Sequence, residues 1–497
     1  MAWILIVVWL ASRHVLWRDE VRALSFALAS DNWIGMLRHL HGEGHPALWY
    51  ILLRAAYDPV GVPQVLPAMS LAMAALTAGL LVFRSPFPWL LVALILAGHA
   101  FVYEYSVMAR NYGLGALLIF ALAAFFRERR DHGVGLGILL ALAANTNAIA
   151  AAIAVAFLAY WLLEIVEESG LSWTMKHRRF AINAAIAALG LLVAFATMYP
   201  TFNDAAFILN SEGPATGALD LGSPFAKLLG YDVWPSHLTL FGPRAVVLFG
   251  PILLLAATLG LMGRPPAFLA ALLSLVGLAL FFNLGVKGDY RHEMTWLAFL
   301  IALYWINWPR LREARGQVRR WVSGAGFAAF VVLLTLQATL GAADIVVVGI
   351  KGAPESRSED FARLLSSRPD LKDSILIADP DYMLEPLRYW VDNPFYFVRE
   401  KRFGDTVRFS RKARSDLSIS DLLAAARSLR AATGRPIVIA LALRLDSLGE
   451  DRRFRESYAW TISARTEEVA AFNAACNRIA SFGSVSSDET YDVYTLK

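Results

Sequence analysis

An acidic pair, Asp19-Glu20, follows directly on the first apolar segment of the chain, and a His-Pro pair, His45-Pro46, stands directly before the next one. Two uses fit the acids. They can be interfacial carboxylates, solvated and paired with Arg18 or Arg22. Alternatively, Asp19 is a general base at the rim of a lipid-facing cavity, taking the proton of an acceptor hydroxyl as that oxygen attacks, which requires a pKa near the working range. One carboxylate is enough for the proton, so Glu20 is left as an orienting or metal-holding neighbour. Further along, Glu104, Arg110 and Tyr112, and later Lys287, Arg291 and His292, stand at the ends of apolar blocks, where a charged group needs water or a partner.

The elements that position them belong to a membrane domain. Of 497 residues, 57% are hydrophobic and 18% charged, with a mean hydropathy of +0.49, the composition of a polytopic α-helical membrane protein. A net charge of +5 and a pI near 9.2 are small departures for this length, and no basic-aromatic stripe points to nucleic acid as a partner. The single cysteine, Cys476, excludes an intramolecular disulfide, and no CxxC or His/Cys spacing of a zinc site occurs.

Apolar blocks at 65–83, 89–105, 112–126, 133–145, 148–163, 181–198, 245–262, 267–283, 294–306 and 321–340 join the N-terminal one to predict about eleven spans, several of them short, as where helices surround a cavity. The first block lacks the basic flank and small-residue cleavage pattern of a removable signal peptide. Residues 2–17 as one helix cover about 24 Å against about 30 Å of hydrocarbon, so Arg13 and His14 must snorkel. Between 21 and 57 apolar residues recur at helical spacing in segments too polar to span, with Ser30-Asp31-Asn32 able to cap a second helix; these predict interfacial helices. Basic residues gather at Arg84, 127–130, 176–179, Arg264 and 310–320. The positive-inside rule therefore puts the N-terminus in the cytoplasm, and Asp19, His45, Arg110, Lys287 and everything after 340 outside.

Past residue 340 the composition changes. The stretches 374–378 (SILIA), 395–398 and 436–443 (PIVIALAL) predict buried strands, and 360–367, 383–391 and 419–432 predict helices, the last ending at Gly434. The expected organisation is a transmembrane domain over 1–341, with outer-face loops 13–64 and 199–244, and a small extracytoplasmic α/β domain over 342–497.

The apolar first helix running into Asp19-Glu20, followed by Gly44-His45-Pro46-x-Leu48-x-Tyr50, resembles the C-fold (GT-C) integral-membrane glycosyltransferases. Within them it resembles the protein-mannosyltransferase and aminoarabinose-transferase-like groups, which use polyprenyl-phosphate sugars. Tyr105-Ser106-x-x-Ala109-Arg110-x-Tyr112 is similar to the opening of that family's fourth span, and GDYRHEMTW at 288–296 to its Arg-Tyr/His element at the outer start of a late span. These elements lie in the family's order on one predicted side and cover 1–340. The chain departs from the pattern at Met108, where the family has a glutamate and Glu104 is the nearby acid, and at Thr146-Asn147, where the family often has Thr-His.

The resemblance implies a bacterial inner-membrane enzyme moving a sugar from a polyprenyl-phosphate donor to a hydroxyl of a lipid, glycan or protein acceptor on the outer face, in one inverting displacement. It implies Asp19 and Glu20 as the catalytic acids, and Arg110, Lys287 and Arg291 as cations on the departing lipid phosphate, arginine as a bidentate fork and lysine as a point charge. His45, Glu104, Tyr112 and His292 support them. His45 bridges to the phosphate or holds the acids, or else caps the short helix begun by Pro46. Tyr103, Tyr105 and Tyr112 also fit as interface-belt aromatics, and Asp289 and Glu293 as solvated or ion-paired acids. No cofactor is implied, with a divalent metal left open. Two other classes stay compatible: a flippase or transporter of a lipid-linked sugar, with ionisable groups near the mid-membrane of broken helices, and a non-catalytic membrane anchor for the C-terminal domain.

Overall fold

The computed structural model describes residues 1–41, 43–199, 224–233, 238–284, 288–313, 317–410, 412–442, 444–445, 452–455, 460–483, 485 and 487–497. The chain divides into two units. One comprises Met1–Arg13, Glu43–Tyr199 and Pro214–Gly352; the other contains His14–Gly42 and Ala353–Lys497.

The first unit is helical. Among the described residues six helices are long and apolar enough to cross a membrane: Val65–Arg84, Asn111–Arg129, Ala148–Ser169, Met175–Met198, Pro265–Leu284 and Gln317–Ile350. Shorter apolar helices run over Ala2–Ala11, Gly135–Ala144 and Pro243–Leu259. The first helix stops at Ala11 and does not continue to residue 17 as expected. The middle of the bundle is the helix Tyr290–Asn307, apolar all round from Trp296 to Ile306 and buried throughout, the pattern of a helix surrounded by protein. It packs on Asn111–Arg129, while Pro243–Leu259 packs on Gln317–Asp344. The latter approach is close enough at Gly326 that a Cβ would come within 2.2 Å of the Gly260 nitrogen.

The block expected as one span over 89–105 is broken. Helix Trp89–Ala97 gives way to a π-helical turn, Ala100–Glu104, and then to irregular backbone up to the helix that starts at Asn111. Carbonyls freed by such a break need donors away from water. The one Ser70 hydroxyl proton is shared between Ser106 O (3.1 Å) and Met108 O (2.9 Å), and Ser106 Oγ donates to Phe101 O at 2.6 Å. Asn111 fastens the end of the irregular stretch by donating to Thr146 O at 2.7 Å.

In the second unit, a four-stranded mixed sheet runs in the order Ile375–Asp379, Ile437–Leu441, Tyr491–Leu496, Cys476–Phe482. The first two strands are parallel, with Ile375 opposite Ile437, and the other pairings are antiparallel. Both faces of the parallel pair are covered. Leu376, Ala378, Val438 and Ala440 join one apolar cluster, and Ile375, Ile377, Ile437 and Ile439 join another with the helix Ile419–Thr433, so these strands read as continuous apolar runs. That helix is capped by Ser418 and ends at Gly434 in the left-handed conformation, φ 68°. The helix expected over 383–391 is a 3-10 helix, Asp381–Tyr389, because Pro386 inside it has no N–H to give an α-helical ladder.

Candidate active site

Two neighbouring helices of the first unit begin side by side, Asn111–Arg129 after its N-cap Arg110, and Tyr290–Asn307 after its N-cap Asp289. Helix N-termini carry unsatisfied N–H groups and partial positive charge. Tyr112 and His292, each within the first turn, meet at 2.8 Å from Oη to Nε2. Asp289 N–H donates to His292 Nδ1 at 3.0 Å, which puts the ring proton on Nε2 and makes the Tyr112 oxygen its acceptor.

Tyr112 is the hub of this cluster. The Arg110 guanidinium lies over its ring at 5.6 Å, His45 meets it edge-on with centroids 6.3 Å apart, and Tyr105 stacks on it at 6.3 Å with an interplanar angle of 11°. Tyr105 Oη donates to Arg291 O at 2.6 Å. Arg291 pairs with Asp289 at 3.4 Å, and Lys227 reaches the same carboxylate at 2.7 Å. Burial raises the Asp289 carboxyl, but Arg291, Lys227 and the Tyr290 N–H outweigh it and hold the group below its ordinary value. Glu104 is buried within the fields of Arg291, His99 and Arg110.

Of the residues expected at the site, His45, Glu104, Arg110, Tyr112, Arg291 and His292 are thus brought together within one unit. Lys287 lies outside the described residues. His45 does not cap the helix after Pro46: that helix, Leu48–Tyr57, has Ala47 at its N-cap and no side-chain cap. Tyr103 and Tyr105 are buried rather than placed as a lipid-facing belt. Glu293 is buried and accepts the Leu228 N–H at 2.7 Å instead of being solvated. Lys227 and the structural role of Asp289 escape sequence reasoning. An Asp directly before a helix carries a capping signal, but nothing local pairs it with a lysine 62 positions away.

The acidic pair belongs to the second unit, and its two members differ. Glu20 is fully buried; its carboxylate accepts the Trp17 N–H at 3.0 Å and sits 2.7 Å from His14 Nε2, capping the helix Arg18–Ala27. Asp19 keeps 26% of its side chain exposed, beside Arg18 Nε at 3.5 Å. Of the two carboxylates, Asp19 is the one that keeps part of its surface accessible. Among the described residues no three His, Cys, Asp or Glu side chains converge as a metal-ligand set.

No family model matches the chain, and no curated protein matches it by sequence. Its fold does have solved counterparts. ArnT from Cupriavidus metallidurans in the apo state superposes with a TM-score of 0.55 at 13% identity, covering 99% of this chain and 96% of that one. ArnT from the same organism bound to undecaprenyl phosphate gives 0.53 at 13% identity, with the same coverage. The likeness extends over both units, and the chain therefore shares the ArnT fold, a helical membrane domain with a small sheet-containing C-terminal region.

Proposed function

We propose that the chain is a membrane glycosyltransferase moving a sugar from a polyprenyl-phosphate donor to a hydroxyl of a lipid, glycan or protein acceptor. The reaction takes place on the outer face of a bacterial inner membrane, with the N-terminus cytoplasmic and residues 342–497 extracytoplasmic. The observation that carries this reading is the gathering of Arg110, His45 and His292 around Tyr112, with Arg291 tied in through Tyr105, at two adjacent helix N-termini. It is supported by a fold in common with a protein seen with undecaprenyl phosphate.

In this mechanism the acceptor oxygen attacks the anomeric carbon as Asp19 takes its proton. The bond from that carbon to the phosphate oxygen breaks, and the electron pair leaves with the lipid phosphate. One displacement inverts the anomeric configuration. Charge grows on the departing phosphate, and Arg110 and Arg291, with Lys287, are the cations assigned to it; the two helix N-termini add to their effect. The base is assigned to Asp19 because Glu20 is occupied as a cap.

The test is chemical analysis of envelope lipids, glycans and glycoproteins from a strain lacking the protein, complemented with wild type or Asp19→Asn. Wild type restores a sugar that the variant, present at equal level, does not. Full restoration by Asp19→Asn sinks the base, and an unchanged sugar inventory in the deletion strain sinks the reading.

A further inference from the structure

The helix that carries Asp19 is held by the C-terminal part of its own unit, through residues on either side of that acid. Arg18 N–H donates to Glu489 at 2.7 Å, and its guanidinium lies over the Tyr382 ring at 4.4 Å. One turn on, Arg22 pairs with Glu385 at 2.5 Å and lies over the Phe409 ring at 5.1 Å. Glu385 and Glu489 are both fully buried. Glu385 also accepts the Val407 N–H at 2.7 Å, so the carboxylate is fixed before the arginine reaches it.

The fixture continues inward. Glu385 and Tyr382 sit on the 3-10 helix Asp381–Tyr389, which packs on the helix Arg18–Ala27. Asp381 accepts the N–H groups of Val398 and Arg399 at 2.9 Å each, and Arg399 pairs with Asp379, the last residue of the first sheet strand, at 2.8 Å. A buried carboxylate–arginine contact is costly to break once one partner is removed. A partly exposed acid on a helix gripped at two successive turns has a direction set by the sheet.

We infer that residues 353–497 form an orienting clamp for the Asp19 helix, with Arg22, Glu385 and Glu489 as positioning residues for the proposed base; the inference rests on the glycosyltransferase reading. It gives the C-terminal domain a task within the reaction, because a general base must be held within hydrogen-bond reach of the proton it removes.

The experiment uses the full chain in lipid nanodiscs and in the complemented strain. In Glu385→Gln and Arg22→Gln, amides of residues 18–27 should exchange about tenfold faster or more, while those of the strand Ile437–Leu441 stay protected. Product should fall by about 100-fold, and adding Asp19→Asn to either variant should lower it little further, since a misdirected base has little left to lose. Unchanged exchange at 18–27 in both variants overturns the clamp. So does a full additional loss on adding Asp19→Asn, which would mean that the base works without it. Should Glu385→Gln unfold the sheet, Arg22→Gln decides alone, its side chain lying on the held helix. Exchange reads the clamp without any substrate, so full activity of Asp19→Asn alone would count against the base and not against the clamp.

Discussion

Gly113→Ala tests whether the irregular stretch before Asn111 positions the cluster around Tyr112. A Cβ on Gly113 would stand 2.4 Å from the Tyr105 carbonyl oxygen and 3.3 Å from its carbon, so the obstacle is backbone and cannot rotate away. Restoring ordinary van der Waals separation takes a shift of about 1 Å. Tyr105 stacks on Tyr112 and donates to Arg291 O, so either side of the contact carries the cluster with it. Overpacking of this kind costs about 1–3 kcal/mol, and alanine returns about 1 kcal/mol over glycine in a helix, leaving a net destabilisation of at most about 2 kcal/mol. Misplacement by about 1 Å near the reacting groups costs about 100-fold in rate. Activity should therefore fall far more than stability. Thermal unfolding in nanodiscs and quantification of the transferred sugar measure the two, with Gly277→Ala as the control, since nothing lies within 4 Å of a Cβ there. A Gly113→Ala protein that transfers within a few fold of wild type refutes the reasoning.

Tyr112→Phe removes the acceptor of the buried His292 N–H and should cost about 1–3 kcal/mol in thermal stability, along with most of the product; a variant as stable as wild type would show that the bond contributes nothing. Asp289→Asn keeps a competent N-cap but removes the charge held by Arg291 and Lys227, so under the proposed function a polyprenyl phosphate should bind more tightly; weaker binding would mean that Asp289 orients the arginine instead. Asn393→Ala strips one buried amide from the carbonyls of Leu371, Lys372 and Ser374 and should lower the stability of the second unit by about 2–3 kcal/mol, read as faster amide exchange in its sheet. Burial pushes the Glu489 carboxyl up to about 8 from an ordinary 4.5, against the pull of Arg18, so its stabilising contribution is whole below pH 4.5 and is lost as pH rises through about 8. Glu489→Gln should flatten the stability of the second unit over that window, and an unchanged slope would refute the assignment.

What could be read from the sequence follows from what is local. The six long apolar helices were legible because hydrocarbon demands long apolar runs, and 374–378 and 436–443 because strands covered on both faces lose their polar alternation. Tyr491–Leu496 was missed although Val493 and Tyr494 are buried, because Asp492, Thr495 and Lys497 give the stretch the look of a polar tail. The first-unit cluster was legible residue by residue as motif positions, but its centre was not. Tyr112 reads from the sequence as one supporting residue among several, and its place at the centre comes from the side-by-side packing of two helices far apart in sequence. Lys227 was out of reach for the same reason, since an ion pair across 62 positions leaves no periodic trace.

The acidic pair shows why two adjacent carboxylates are not interchangeable. With Trp17 at the N-cap, Asp19 and Glu20 occupy the second and third helical positions. A glutamate at the third position has the length to fold back onto the N-cap N–H, and Glu20 does so through Oε2, which also meets His14 Nε2. An aspartate at the second position is too short to fold back that way, and Asp19 instead lies beside Arg18 Nε at 3.5 Å, while Arg18 and Arg22 also lie over aromatic rings and Arg22 meets a buried acid. The cap thus fixes the start of the helix, the arginines fix its roll, and what remains partly exposed is one carboxylate at a helix N-terminus.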